Sequence, residues 1–239
     1  MDEADPQILA IQSALPQLAS VLKHDFVPYL SSVMETLMAD AIKSVDMKVV
    51  TAKEAELENA DDDESGGNEM KKMTLSIRGV EGPLQIHMNT AVLENKISAL
   101  TIIKSLAHTL GPLMSDYVDT IANLFVTELM HNQISSHIRK IATKTLSLLL
   151  MSAKDREQMK KLMVLYLPGF ASSLKVYLER LDFNTTKWLT LELSRCVKHF
   201  YNFKNELWLS DQYAIEMLDL LSKIVETVQL DKAERLSQF

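Results

Sequence analysis

Ala91–Met130, AVLENKISALTIIKSLAHTLGPLMSDYVDTIANLFVTELM, carries two apolar stripes separated by one Gly-Pro step. In the first, Val92, Leu93, Ile97, Leu100, Ile103, Leu106 and Leu110 recur at three- and four-residue steps. With 3.6 residues per turn, that spacing gathers them on one face of a helix. Gly111-Pro112 predicts the stop: glycine tolerates the positive φ of a C-terminal cap, and proline cannot continue the hydrogen-bond ladder. The second stripe is Leu113, Tyr117, Val118, Ile121, Leu124, Phe125 and Leu129. Ser115 stands where a helix N-cap is expected, with Asp116 and Asp119 in the first turn, where the helix dipole favours negative charge. Two long helices joined by so short a turn lie antiparallel.

Working outward, the same plan recurs. Residues 7–45 read as a helix with Ile8, Ile11, Leu15, Leu18 and Leu22 inward and a kink or late start at Pro16, a turn at Lys23-His24-Asp25, and a second helix. That second helix carries Val27, Leu30, Val33, Met34, Leu37, Met38 and Ile42, with Pro28 in its first turn. Residues 135–178 read as a helix capped by Ser135 or Ser136, then a helix from about Asp155 that Pro168-Gly169 should break or bend. Residues 184–228 read as a helix capped by Asn184 or Thr185, striped by Trp188, Leu191, Leu193, Val197 and Phe200, then one opened by Ser210 or Asp211. Leu22 and Tyr29 match Leu110 and Tyr117 in separation. Between these first two pairs, residues 53–90 form an insertion. Its acidic block at 53–72 repels itself and reads as a loop, and Leu75, Ile77, Leu84, Ile86 and Met88 alternate around Arg78–Pro83 as a small hairpin. Without the insertion, the period approaches the 40 to 47 residues of HEAT-type repeats. The expected fold is therefore all-α: an α-solenoid of about four helix pairs, a single array over 1–239 with the acidic loop and hairpin inserted after the first pair.

Composition agrees. Hydrophobic residues make up 47% and charged residues 24%, the balance of a globular protein, and 6 Gly with 6 Pro favour long helices over many turns. A formal charge of −7 opposes a sequence-independent hold on nucleic acid. The lone Cys196 excludes an intrachain disulfide and fits a reducing compartment. Met1-Asp2-Glu3 does not open a secretory signal, and apolar runs such as Leu148–Met151 are too short to span a bilayer, so a soluble intracellular protein is expected. Asn184-Thr185-Thr186 matches a glycosylation acceptor and reads as a helix start.

No catalytic or metal motif stands out: the chain has no phosphate-cradling glycine loop, no HExxH and no paired-Cys spacing. Its six histidines, His24, His87, His108, His131, His137 and His199, are scattered. The expectation is no enzyme, no metal and no cofactor. Cys196 reads as a buried structural residue. Met34, Met38, Met159 and Met163 read as core, and Tyr201, Phe203 and Trp208 as packing between neighbouring pairs. The acidic block has two readings, a solvated linker or an anionic tether for Lys/Arg-rich segments.

Asp5-Pro6-Gln7 and Leu22–Leu30 (LKHDFVPYL) with Val33-Met34 and Leu37-Met38 resemble the importin-β (karyopherin-β) superfamily. The order of features is closest to its importin-five, or karyopherin beta-three, subgroup: an Asp61-Asp62-Asp63 stretch, Ile86–Thr90, Leu93–Lys96, Tyr117 to Leu124, and Ile138–Ala142. Resemblance is best over 1–153 and looser beyond. It implies an internal fragment of a longer receptor that carries cargo through nuclear pores and releases it to Ran-GTP. The family's Ran contacts lie largely in amino-terminal repeats missing here. Gly66–Lys72 also replaces an aromatic-containing stretch of the relatives.

The resemblance further implies that the second helix of each pair lines a concave, partner-binding side. Carried onto this chain, the acidic positions are Glu35, Asp40, Asp116, Asp119 and Glu128, joined by Asp61, Asp62, Asp63 and Glu64 of the loop. The implied partners are cargo proteins with basic import signals, Ran GTPase and nucleoporins, without nucleic acid or membrane insertion. The implied location is cytoplasm and nucleus. The alternative is a HEAT scaffold or regulatory subunit of a phosphatase or kinase assembly.

Overall fold

A computed structural model of the chain describes residues 6–45, 47–51, 70–75, 84–132, 134–180 and 182–202, with positions 219, 222 and 226. The chain divides into two units, Met1–Leu15 with Tyr29–Ile102, and Pro16–Pro28 with Ile103–Phe239. Its helices are α1 (Pro6–Leu22), α2 (Val27–Ile42), α3 (Thr90–Leu110), α4 (Ser115–Leu124), α5 (Ser136–Met151), α6 (Arg156–Glu179) and α7 (Phe183–Asn202). Strands β1 (Met47–Thr51), β2 (Met70–Leu75) and β3 (Leu84–Asn89) fall between α2 and α3.

In the first unit, α2 buries Leu30, Met34, Leu37 and Ala41, one helix face at three- and four-residue steps. Val33 and Met38 flank that face half-buried, while Ile42, expected inward, is exposed. The sheet has three strands where a two-stranded hairpin was expected. Its order is β1-β3-β2, with β3 antiparallel to both neighbours, Val49 opposite Ile86 and Met73 opposite Ile86 on the other side. A third strand is the physical gain, because an isolated two-stranded ribbon is marginal in water. The expected loop at 53–72 is therefore shorter by Met70–Lys72, which belong to β2; residues 52–69, including Asp61–Glu64, lie outside the described residues. Asn89 ends β3 and caps α3, its Oδ1 accepting the Val92 N–H at 3.2 Å. Lys96, buried on α3, donates from Nζ to the Lys43 carbonyl at 2.9 Å.

In the second unit, both expected helix turns take the same form. Lys23–Phe26 and Gly111–Met114 are 3-10 turns that open on a left-handed residue, Lys23 at φ 48° and Gly111 at φ 52°, and close on a buried Phe26 or Met114. The 3-10 turn runs directly into α4, so Met114 takes the N-cap position and Ser115 does not cap. Ser135 does cap α5, accepting the Ile138 N–H at 3.4 Å, and Asp155 caps α6, accepting from Gln158 N at 2.8 Å. On α7 the cap is Asp182 rather than Asn184 or Thr185, because its carboxylate accepts both the Thr185 N–H (3.0 Å) and the Thr185 hydroxyl (2.6 Å).

These helices stack on their neighbours. α4 lies against α5 and α6, α5 against α6 and α7, and α6 against α7. Ser152, at the end of α5, sets its hydroxyl 2.9 Å from the Leu148 carbonyl and 3.3 Å from the Ala107 carbonyl at the end of α3. The core holds Leu106, Ile121, Phe125, Leu146, Met159, Met163, Tyr166 and Phe170, so the methionines of α6 are core as expected. Met34 in the first unit is core too. Thr90–Leu129 is apolar and long enough by composition to cross a membrane, contrary to the run-length expectation, but Gly111–Met114 interrupts it with a turn.

Sequence and structure part at four places. α1 runs through Pro16 without a late start, since one proline removes one hydrogen bond while its φ remains helical. Ile11 (64%) and Leu18 (50%) of its expected inward stripe are exposed, and Ala19 is buried. Periodicity finds an apolar face but not what covers it. On α7, Leu191 (51%) and Val197 (44%) likewise face outward, while Leu189, Leu193 and Cys196 are buried. Finally, α6 continues unbroken past Pro168-Gly169. α4 ends in a π turn, Phe125–Leu129, whose wider loop pushes Val126 toward α6. A Cβ on Gly169 would lie 2.6 Å from Val126 Cγ1, so the glycine serves a close helix approach rather than a break. The helix expected from Ser210 or Asp211 is described at Asp219, Ser222 and Glu226, all helical; the side chains of Phe200, Tyr201, Phe203 and Trp208 lie outside the described residues.

Unfolding measurements on point variants check this account. Gly169→Ala should cost about 1–3 kcal/mol in urea unfolding, the range of core overpacking, and Val126→Ala should recover part of that loss in the double variant. Because nothing lies within 4 Å of a Cβ at Gly111, Gly111→Ala should cost ~1–2 kcal/mol through backbone strain alone. Lys23→Gly should instead stabilise, by a few tenths to about 1 kcal/mol.

Candidate partner-binding face

The outward face of α4 carries Asp116, Asp119 and Asn123, and continues to Thr127 in the π turn, about one turn apart each. That of α6 carries Glu157, Lys161, Val164 and Pro168 at the same spacing. Where the two helices adjoin, Asp119, Asn123, Lys161, Leu162, Val164 and Leu165 line an open groove of about 510 Å³. Its apolar floor and polar walls suit a side chain with an aliphatic stem and a charged head.

Asp119 is fixed within this face. Its Oδ2 accepts from Lys161 Nζ at 2.7 Å and its Oδ1 from Gln158 Nε2 at 3.2 Å. Gln158, nearly buried, also donates from Nε2 to the Ser115 carbonyl at 3.0 Å and accepts the Lys154 N–H at 2.8 Å. The Lys161 hydrogen bond holds the Asp119 carboxyl below the usual carboxylate range against the opposing effect of burial, with help from Gln158 and the Lys154 charge. Asp116 and Glu128 are exposed, so they remain open to an incoming cation. In the first unit, Glu35 is exposed and Asp40 pairs with Lys43 at 3.1 Å. The structure thus brings Asp116 and Asp119 together on α4 and leaves Glu35 and Asp40 on α2 in the other unit.

Gln158, Lys161, Asn123 and Val164 were not singled out from sequence. For Lys161 and Val164 the one signal is the stripe Glu157-Lys161-Val164-Pro168, which reads as any solvated helix face does. His131 and His137 lie on different segments; His131 sits after the π turn with Nδ1 3.2 Å from Ser173 Oγ. Among the described residues no cluster of three or more His, Cys, Asp or Glu is arranged to hold a metal. Cys196 is fully buried, and burial, then the Glu192 charge, pushes its thiol up to about 12, which removes the thiolate that a nucleophile needs.

Helix pairs stacked on their sequence neighbours make this an α-helical repeat fold. Solved structures of the karyopherin Kap121p share this fold. Kap121p alone matches at 19% identity over 99% of this chain and 21% of that chain, with a TM-score of 0.73. Kap121p bound to RanGTP matches at 19% identity over 100% and 21%, TM-score 0.72, and Kap121p bound to Nup53p at 18% over 98% and 21%, TM-score 0.72. The chain spans about a fifth of the length of these structures, and at such identity the likeness is one of fold. No family model matches the chain. No curated protein sequence matches it either.

Asp119 titrates lower folded than unfolded, so its pairing stabilises fully above the ordinary carboxylate pKa near ~4 and is lost as pH falls through the folded value. Asp119→Asn should therefore flatten the acid limb of a stability–pH curve below about pH 4. At neutral pH it should cost no more than ~1 kcal/mol, because Lys161 is largely exposed and solvent screens the pair. An acid limb identical to that of the unaltered chain would reject the pairing.

Proposed function

We propose that the chain is a section of a nuclear transport receptor of the importin-β type, nearest its importin-five subgroup, acting by binding and without catalysis. The observation that supports this best is the shared fold with Kap121p over essentially the whole chain. Kap121p is seen bound to the extreme C-terminus of the phosphatase Cdc14p, to Nup53p and to RanGTP. By analogy, the partners here are cargo proteins with basic import signals, nucleoporins and Ran-GTP, met in the cytoplasm and the nucleus.

In this reading the second helix of each pair receives the cargo. Glu35 on α2 and Asp116 and Glu128 on the α4 segment meet lysines of the signal, and the 510 Å³ groove takes an aliphatic stem beside Asn123 and Val164. Asp40 and Asp119 contribute less, since each already serves a lysine of its own chain. Asp61, Asp62, Asp63 and Glu64 add a long-range attraction that salt screens over a Debye length of about 8 Å. Exposed pairs are worth only about 0–1 kcal/mol each, so recognition needs several at once.

A lysine-rich import-signal peptide titrated against the chain should bind, with affinity falling steeply between low and physiological salt. Asp116→Lys combined with Glu128→Lys should weaken it roughly tenfold, the effect of ~1.4 kcal/mol, while helix content is unchanged. Absence of binding at low salt, or indifference to the double reversal, would count against the reading.

A further inference from the structure

The N-terminal ends of α5 and α7 lie side by side and frame a second cleft, of about 430 Å³. Its lining differs in sign from the rest of a chain that carries a formal charge of −7. α5 contributes His137, Arg139 and Lys140, and α7 contributes Asn184 and Trp188. Asp182 is the one carboxylate in the lining, and both its oxygens are engaged by Thr185. Arg139 is locked in place: Nη1 donates to the Asn132 carbonyl at 2.8 Å and the guanidinium lies 5.1 Å from the centre of the Tyr177 ring. Its buried Nε has no hydrogen-bond partner among the described residues. Lys140 and His137 are exposed, and Trp188 is half-buried beside them.

We propose that this cleft docks a short acidic segment of a partner protein. Its carboxylates meet Lys140, His137 and the fixed Arg139, and an apolar side chain between them lies on Trp188. Charge complementarity selects this occupant. The cleft holds two permanent cations against one carboxylate, Asp182, which interacts with Arg139 and offsets one of the two charges; the lining stays net positive, whereas the chain as a whole repels polyanions. A nucleic-acid backbone, with its many charges, would feel that repulsion over its length; a peptide with a few carboxylates meets only the local cations. A fixed guanidinium loses little side-chain entropy on binding. The inference is independent of the proposed receptor function, which concerns the α4–α6 face.

The test uses the full chain with Trp208→Phe, so that Trp188 is the only indole reporter. Titration with a short Glu/Asp-rich peptide should change the Trp188 emission saturably, with affinity falling as salt rises. Lys140→Glu, a surface change, should weaken binding by roughly tenfold or more with unchanged helix content. A lysine-rich peptide of equal length should leave the emission unaltered. No saturable response to the acidic peptide, or equal affinity in Lys140→Glu, would overturn the proposal. So would competition at similar concentration by inorganic phosphate or by a single-stranded oligonucleotide, which would make the cleft an anion or nucleic-acid site.

Discussion

The approach of Val126 to Gly169 sets how closely α4 and α6 can lie. A methyl group on Gly169 would reach within 2.6 Å of Val126 Cγ1, less than any tolerated carbon–carbon contact. The contact exists because α4 gives way to a π turn at Phe125–Leu129, in which Met130 N bonds back five residues to the Phe125 carbonyl at 2.9 Å. That wider turn buries Phe125, Val126 and Leu129 together. With the helices this close, Tyr166 and Phe170 of α6 become fully buried, and α6 gains enough support on its inner side to continue past Pro168. A local lapse in one helix thus explains the regularity of the next.

Around that contact, polar groups fix the register of each helix on its neighbour. Gln158 ties the start of α6 to Ser115 and Asp119 at the start of α4. Ser152 ties the end of α5 to the end of α3. Arg139 closes the α4–α5 loop on the Asn132 carbonyl, while Asn132 Oδ1 accepts from Ile134 N and Ser135 N. Each tie joins elements adjacent in the stack. Stability in such an array is a sum over neighbouring interfaces, and binding groups can change on one face without unfolding another.

The helices were legible because their apolar spacing is strong and their turns carry Gly-Pro or charged breaks. The equivalence of the Lys23 and Gly111 turns was legible as a repeated Leu–Tyr separation, although only the second has the residue its φ favours. What covers each face was not legible. Ile11 and Leu18 obey helical periodicity as well as Leu30 and Met34 do, yet only the latter are buried. Caps were half legible: Ser135 and Asp155 precede clean stripes, while Asp182 was hidden behind two plausible neighbours. Gly169 misled because Pro-Gly is the usual mark of a break, and its partner Val126 is more than 40 residues away in sequence. Strand β1 escaped because five residues without clear alternation carry little signal.

The candidate face was the least legible part, for a physical reason. Sequence distinguishes an acidic residue from others but not a committed carboxylate from an available one. Asp116 and Asp119 look equivalent on a helical wheel, yet Asp119 already holds Lys161 and Gln158, and any cation it bound would have to displace an existing partner. The gain from such an exchange is the difference between two similar contacts, which is small. Binding specificity on this fold is therefore carried by the groups that stacking leaves over. Those are Asp116, Glu128 and Glu35 on the acidic faces, and Lys140 and His137 at the α5–α7 cleft, where the same rule operates with the opposite charge: Asp182 is held by Thr185 and offset by Arg139, and the exposed Lys140 and His137 decide what the cleft attracts.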